Sequence, residues 1–130
     1  MMMDIRKHVK VVFVDDSEIN HFVLRSLTSS YPDFEFLSME KNGQELLKSL
    51  ENNGVIPEVG IVDIHMPYLN GIATTRKLMK RYPDIKVYGF TSSSDDMERE
   101  SMLKAGAFKI YAKDQLEALL EDIRMQKSLV

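Results

Sequence analysis

Residues 9–16 read VKVVFVDD, and residues 59–63 read VGIVD. Each is a short run of β-branched and other apolar residues that stops at an acid. A strand covered by helices on both faces is apolar along most of its length instead of alternating, and both runs have that character. Three more short runs follow the same plan: Phe34–Met39 (FEFLSM), Ile85–Phe90 (IKVYGF, ending at Thr91) and Phe108–Ala112 (FKIYA, ending at Lys113). The stretches between them carry apolar residues at helical spacing. Ile19, Phe22, Val23 and Leu27 follow Ser17, a cap residue. Leu46, Leu47 and Leu50 lie between Asn42-Gly43 and Asn53-Gly54, the second pair standing where a helix end wants a positive φ. Ile72, Leu78, Met79 and Tyr82 mark a third helix. Ser94-Asp95-Asp96 caps a fourth, which stops at Gly106. Leu116, Leu119, Leu120 and Ile123 follow a capping-box pattern made by Asp114 and Glu117. Five strands alternating with five helices specify an α/β chain with a doubly wound parallel sheet and right-handed crossovers.

Composition narrows the function. The chain has 130 residues, and residues 1–130 are read as one domain with no second, output domain. With no cysteine, a disulfide framework and a thiolate zinc site are excluded. Seventeen Lys and Arg against 20 Asp and Glu leave a net charge of −3, so the basic footprint of direct nucleic-acid binding is missing. No apolar run approaches the roughly 20 residues that span a bilayer. The start, Met1 to His8, lacks the apolar core of a signal peptide, so a cytoplasmic setting is expected. Met1–Met3 are read as a disordered start.

In a sheet of this kind the working site lies outside the carboxyl ends of the strands. Those ends carry Asp15 and Asp16, Asp63, Thr91 and Lys113. A lone acid at a strand end is ordinarily a cap or turn residue. Five such groups at the ends of four of the five strands are not explained by capping. Three carboxylates side by side repel one another unless a cation joins them, and an all-oxygen set suits a hard cation, Mg²⁺ above all. A cation, a lysine and a hydroxyl around a carboxylate suit the oxygens of a phosphoryl group, which a carboxylate can accept as nucleophile.

With VDDSEIN at Asp15-Asp16, VDIHMPYLNG around Asp63, GFTSS at Thr91 and GAFKIYAK before Lys113, the chain resembles a receiver domain of the bacterial response regulators over nearly its whole length. The resemblance implies a flavodoxin-like fold with strand order 2-1-3-4-5. It implies that Asp63 is the phosphoacceptor, that Asp16 ligates Mg²⁺ directly and Asp15 through water, and that His65 offers its backbone carbonyl to the metal. Thr91 and Lys113 would bond phosphoryl oxygens, and the small Ser92 would leave room for them. The implied donor is a histidine kinase or a histidine phosphotransfer protein, and the implied output is contact with a downstream protein.

Two departures stand out. Lys113 is followed by Asp114 where the family usually has proline. The position three before the lysine, usually aromatic, is Ile110; Tyr111 comes one later and should face the other side of the sheet. State changes are therefore expected mainly in the Thr91–Asp96 loop and the start of the fourth helix. His8 and His21 read as surface or helix residues, and Met97 and Met102 as core or half-core.

The expected function is a phosphoacceptor switch that catalyses only its own phosphorylation and dephosphorylation. The alternatives are a phosphorelay intermediate that hands the group to another histidine, a receiver-fold adaptor that is not phosphorylated, a fragment of a DNA-binding regulator, and an aspartyl phosphatase. The last wants a second acid two residues after the nucleophile, where this chain has His65.

Overall fold

A computed structural model of the chain describes residues 8–128; Met1–Met3 lie outside that range. The elements are β1 (Val9–Val14), α1 (Glu18–Leu27), β2 (Phe34–Glu40), α2 (Gly43–Asn53), β3 (Val59–Asp63), α3 (Gly71–Arg81), β4 (Lys86–Thr91), α4 (Asp96–Ala105), β5 (Lys109–Ala112) and α5 (Leu116–Ser128). All strand pairs are parallel and the sheet order is β2-β1-β3-β4-β5. No helix among the described residues is long and apolar enough to cross a membrane.

The unbroken apolar runs are explained by two cores, one on each face. Val11 and Phe13 of β1, Ile61 of β3 and Tyr88 and Phe90 of β4 pack with Leu24 of α1 and Leu119, Leu120 and Ile123 of α5. Val12 and Val14, Val62 and Val87 pack on the other side with Leu46 and Leu50 of α2, Leu78 of α3 and Met102 of α4. Successive residues of one strand feed opposite cores, as the two-residue period requires.

Local chemistry fixes the helix ends. Asn42, Asn70 and Asp95 cap α2, α3 and α4, each accepting from a backbone N–H in the first turn. Gly54 closes α2 at φ 68°. Ser17 stands at the N-cap of α1, but its side chain makes no capping bond. Asp114 lies inside a 3-10 turn, Lys113–Gln115, that runs into α5, so it does not stand at the head of a capping box.

The helical spacing of Ile19, Phe22 and Val23 marks α1 but not its buried face: they are 73%, 67% and 38% exposed, and the helix buries His21 and Leu24. Those two are three apart and share a face. His21 is therefore a helix residue but not a surface one. Met97 is exposed as well, whereas Met102 is fully buried.

At the start of α3 the chain comes very close to the end of β3. Gly71 donates its N–H to the Ile64 carbonyl at 2.8 Å. A Cβ on Gly71 would lie 2.0 Å from the Asp63 carbonyl oxygen, a backbone atom that cannot step aside cheaply. Gly71→Ala should therefore destabilise the fold by about 2–4 kcal/mol and shift the Asp63 and Ile64 amide signals. Urea unfolding and two-dimensional NMR check this; a variant as stable as the parent would contradict the contact.

Candidate functional site

Of the groups expected from the sequence, Asp15, Asp16, Asp63 and Lys113 come together, while Thr91 ends the neighbouring strand β4 and is not among the residues that line the cleft. One oxygen from each of the Asp15, Asp16 and Asp63 carboxylates lies within 4.8 Å of the others, the only group of three or more potential metal ligands among the described residues. Asp15 and Asp63 are buried, and Asp16 is exposed. Asp16 and Asp63 line an open cleft of about 460 Å³ shared with Ile19, Asn20, His65, Ser92 and Lys113, and Asp15 lies buried behind it. The donors are all oxygen, and the net charge is negative. Both features suit a hard divalent cation and neither suits a soft one.

Asp15 is the better satisfied acid. Its carboxylate takes an ion pair from Lys113, bonds from Asn20 Nδ2 at 3.1 and 3.2 Å, and the Ser17 N–H at 2.8 Å. Its backbone carbonyl lies 2.6 Å from Nε2 of buried His21, whose ring stands edge-on to Phe13. Asp63 is held at longer range: Lys113 Nζ and the His65 N–H each lie 3.3 Å from Oδ1. Lys113 also sits 5.0 Å above the Phe90 ring centroid, a further anchor for its charge. Thr91 is buried at the end of β4, and its hydroxyl accepts from the Ser93 N–H at 3.0 Å.

Burial, then the neighbouring Asp15 charge, push the Asp63 carboxyl up to about 7; Lys113 only partly offsets them. A buried acid with two acidic neighbours is the expected candidate for chemistry.

His65 shares the cleft, but its ring faces Glu98 of α4, with Nε2 2.7 Å from Oε2. Sequence reasoning did not single out Asn20, His21, Ser93 or Glu98 as site residues. Asn20 lies within the VDDSEIN run and follows Asp15 by five residues, so helical geometry gave a usable signal. His21 pairs with Leu24 at a spacing of three. Ser93 and Glu98 carried no such mark.

The raised pKa sets a pH dependence. A carboxyl whose pKa is higher folded than unfolded stabilises the fold in its neutral form. That contribution is complete below about pH 4 and is lost as pH rises toward 7. In metal-free buffer, Asp63→Asn should be more stable than the parent at pH 8, on the order of 2 kcal/mol. The advantage should shrink as pH falls to 4. Paired thermal melts across that range test it, and a pH-independent difference would count against the electrostatic origin.

Comparison with known proteins agrees with the geometry. The family model described as the response regulator receiver domain matches residues 11–124. The chain is 29% identical over 118 residues to the transcriptional regulatory protein DegU of Brevibacillus brevis, covering 90% of this chain and 49% of that protein. It is 33% identical over 107 residues to a protein-glutamate methylesterase/protein-glutamine glutaminase of Methanospirillum hungatei, covering 81% and 30%. The chain thus spans about half or less of the length of these curated relatives. The response regulator domain of Thermotoga maritima CheB superposes with a TM-score of 0.79 at 27% identity, covering 92% of this chain and 96% of that one. A LuxR-family DNA-binding response regulator from Staphylococcus aureus gives 0.80 at 24% identity, covering 90% and 97%, and at that identity speaks for the fold alone. The match across 11–124 and the shared strand order with the carboxylates at its rim lead to one assignment: the chain belongs to the response regulator receiver domain family.

Proposed function

We propose that Asp63 accepts a phosphoryl group from a phosphohistidine, carried by a histidine kinase or a histidine phosphotransfer protein, and that the chain is thereby the receiving switch of a two-component pathway. The observation that carries this reading is the placement of Asp63: a buried acid lining an open cleft, beside two other carboxylates and 3.3 Å from the Lys113 ammonium. In the transfer a carboxylate oxygen of Asp63 forms a bond to phosphorus while the phosphorus–nitrogen bond of the donor breaks. The electron pair of that bond stays on the donor imidazole.

Asp15, Asp16 and Asp63 are the side chains that would hold Mg²⁺, with the His65 carbonyl as a further oxygen. Bound there, the ion supplies charge neutralisation for the carboxylates and for the incoming phosphoryl oxygens. With its carboxyl pushed up to about 7, Asp63 holds its proton far more readily than an ordinary aspartate in the absence of a cation. Any cation in the cluster favours the carboxylate, which is the nucleophilic form. The phosphoryl group brings roughly −1.5 to −2 of charge, and Lys113 is the cation in place to answer it. We assign the bond to a further phosphoryl oxygen to the Thr91 hydroxyl, at the end of the neighbouring strand.

The exposed face of α1 supports a protein donor. Ile19 lines the cleft, and Phe22 and Val23 extend an apolar surface away from it. Output through protein contact is supported by α4 and the turn that leads into β5, where Met97, Leu103 and Phe108 are exposed. We place the change of state in residues 91–96 and the start of α4, because Ile110 packs under α4 while Tyr111 belongs to the opposite core.

Incubation with acetyl phosphate and Mg²⁺, followed by intact mass measurement, should show the gain of one phosphoryl group. Asp63→Asn should show none. Asp16→Asn should weaken Mg²⁺ binding at least tenfold by titration calorimetry, with matching loss of the modification. Modification of Asp63→Asn at the parent rate would remove Asp63 from the acceptor role.

A further inference from the structure

The loop after β3 and the first turns of α4 are tied together beside the cleft, which His65 lines, by side chains that the transfer itself does not use. Glu98 is the centre of this tie. Its Oε2 meets His65 Nε2 at 2.7 Å, and its Oε1 accepts from the Ser93 hydroxyl at 2.8 Å. Ser93 in turn donates its N–H to the Thr91 hydroxyl at 3.0 Å. Its own hydroxyl accepts from the Asp95 N–H at 3.0 Å, and its carbonyl accepts from Arg99 Nε at 3.3 Å. On the other side His65 donates its N–H to Asp63 Oδ1 at 3.3 Å. The two ends of the chain of contacts, Asp63 and Thr91, lie at the carboxyl ends of neighbouring strands. The result is a circuit from Asp63 through His65, Glu98 and Ser93 to Thr91.

The ordinary role of a Glu in a first helical turn is to face the free N–H groups there. In α4 that role belongs to Asp95, which accepts from the N–H groups of Met97 and Glu98. The Glu98 side chain turns away from the helix end to bridge two loops.

We propose that Glu98 is a positioning residue: through Ser93 it fixes the Thr91 hydroxyl, and through His65 it fixes the loop after Asp63, in the arrangement that precedes phosphoryl transfer. The proposal rests on the reading of Asp63 as acceptor. A contact made in one state only biases the protein toward that state. For Thr91 to follow a phosphoryl oxygen, Ser93 must move with it and the Ser93–Glu98 bond must open. Removing Glu98 removes that bias, so transfer becomes faster. A carboxylate near the cleft also repels an anionic donor, and the conservative variant separates the two effects.

The test compares rates of phosphorylation by acetyl phosphate with Mg²⁺ in the full chain, together with melting temperatures. Glu98→Ala and Ser93→Ala should each be faster than the parent by about two- to fivefold. His65→Ala should be faster by a smaller factor, and Glu98→Ala combined with His65→Ala should fall short of the product of the two single effects. Glu98→Gln keeps the bridge without the charge and should stay near the parent rate. In metal-free protein without donor, Glu98→Ala should shift the amide signals of Thr91 and Ser93, while Glu100→Ala, on the same helix but paired with Lys104, should not. Amides of Thr91 and Ser93 unmoved in Glu98→Ala would overturn the proposal. So would a Glu98→Ala rate equal to the parent at equal melting temperature, or a Glu98→Gln rate as fast as Glu98→Ala. If the parent itself takes up no phosphoryl group, the acceptor reading of Asp63 falls, and the amide comparison still decides whether Glu98 positions Thr91.

Discussion

Three carboxylates within 4.8 Å of one another, with the Lys113 ammonium between two of them, are the constraint around which the rest of this molecule is arranged. Two of the acids are buried, and a buried charge is tolerated only when paired and hydrogen-bonded. The two solve that problem unequally. Asp15 receives Lys113, Asn20 and the Ser17 N–H on its carboxylate, and His21 holds its carbonyl. Asp63 shares the same lysine at longer range. One acid is therefore a fixed anchor, and the other keeps an unstable charge. Asp63 is thus the less satisfied of the two buried acids, which is what the proposed acceptor role draws on.

The topology makes this inequality possible. Lys113 follows β5, at the edge of the sheet, yet its ammonium reaches Asp15 at the end of β1, with β3 and β4 lying between. It crosses that distance over the Phe90 ring. The ion pair links positions 98 residues apart, so it exists only when the whole sheet has formed. Gly71 acts at shorter range: the bare backbone at the start of α3 lets the helix close on the Asp63 carbonyl and so sets where β3 ends. Fold and site share the same contacts, and a change to either perturbs the other.

Much of this was legible in the residues. Strands covered on both faces announce themselves as unbroken apolar runs, which is why β1 and β3 were readable to the residue. The acids, Thr91 and Lys113 were readable because strand ends in such a sheet must meet at one rim. The orientation of α1 was not. Its apolar residues at 19, 22 and 23 have helical spacing, but spacing reports that a face exists and not which way it turns. The inward side is held by Leu24 and by a histidine whose ring edge packs on Phe13 while its nitrogen meets the Asp15 carbonyl. A polar residue that satisfies itself in the core escapes a hydrophobicity pattern. The Glu98 bridge escaped for a different reason: His65 and Glu98 are 33 positions apart, beyond any periodic signal, and only the closed fold brings them together.

The last strand shows how one residue of offset sends neighbouring side chains to opposite cores, which bears on the proposed switch. Ile110 faces Met102 of α4 and the open backbone of Gly89, where an added Cβ would lie 3.1 Å from the Ile110 side chain. Tyr111, one residue on, faces the opposite core, where its hydroxyl donates to Asp122 at 2.6 Å and its ring lies against Tyr88. Burial and the Asp122 carboxylate push the Tyr111 phenol up to about 12, so it remains a donor across the neutral range. To enter the space beside Thr91, that ring would have to give up its acceptor and turn the strand over. Ile110 is β-branched and stiff at χ1, so it cannot sweep in its place. In the proposed switch, the rearrangement beside Thr91 then falls to Ser92, Ser93 and Ser94 and the first turn of α4, where the Ser93 hydroxyl, the capping Asp95 and the bridging Glu98 each have more than one hydrogen-bonding partner.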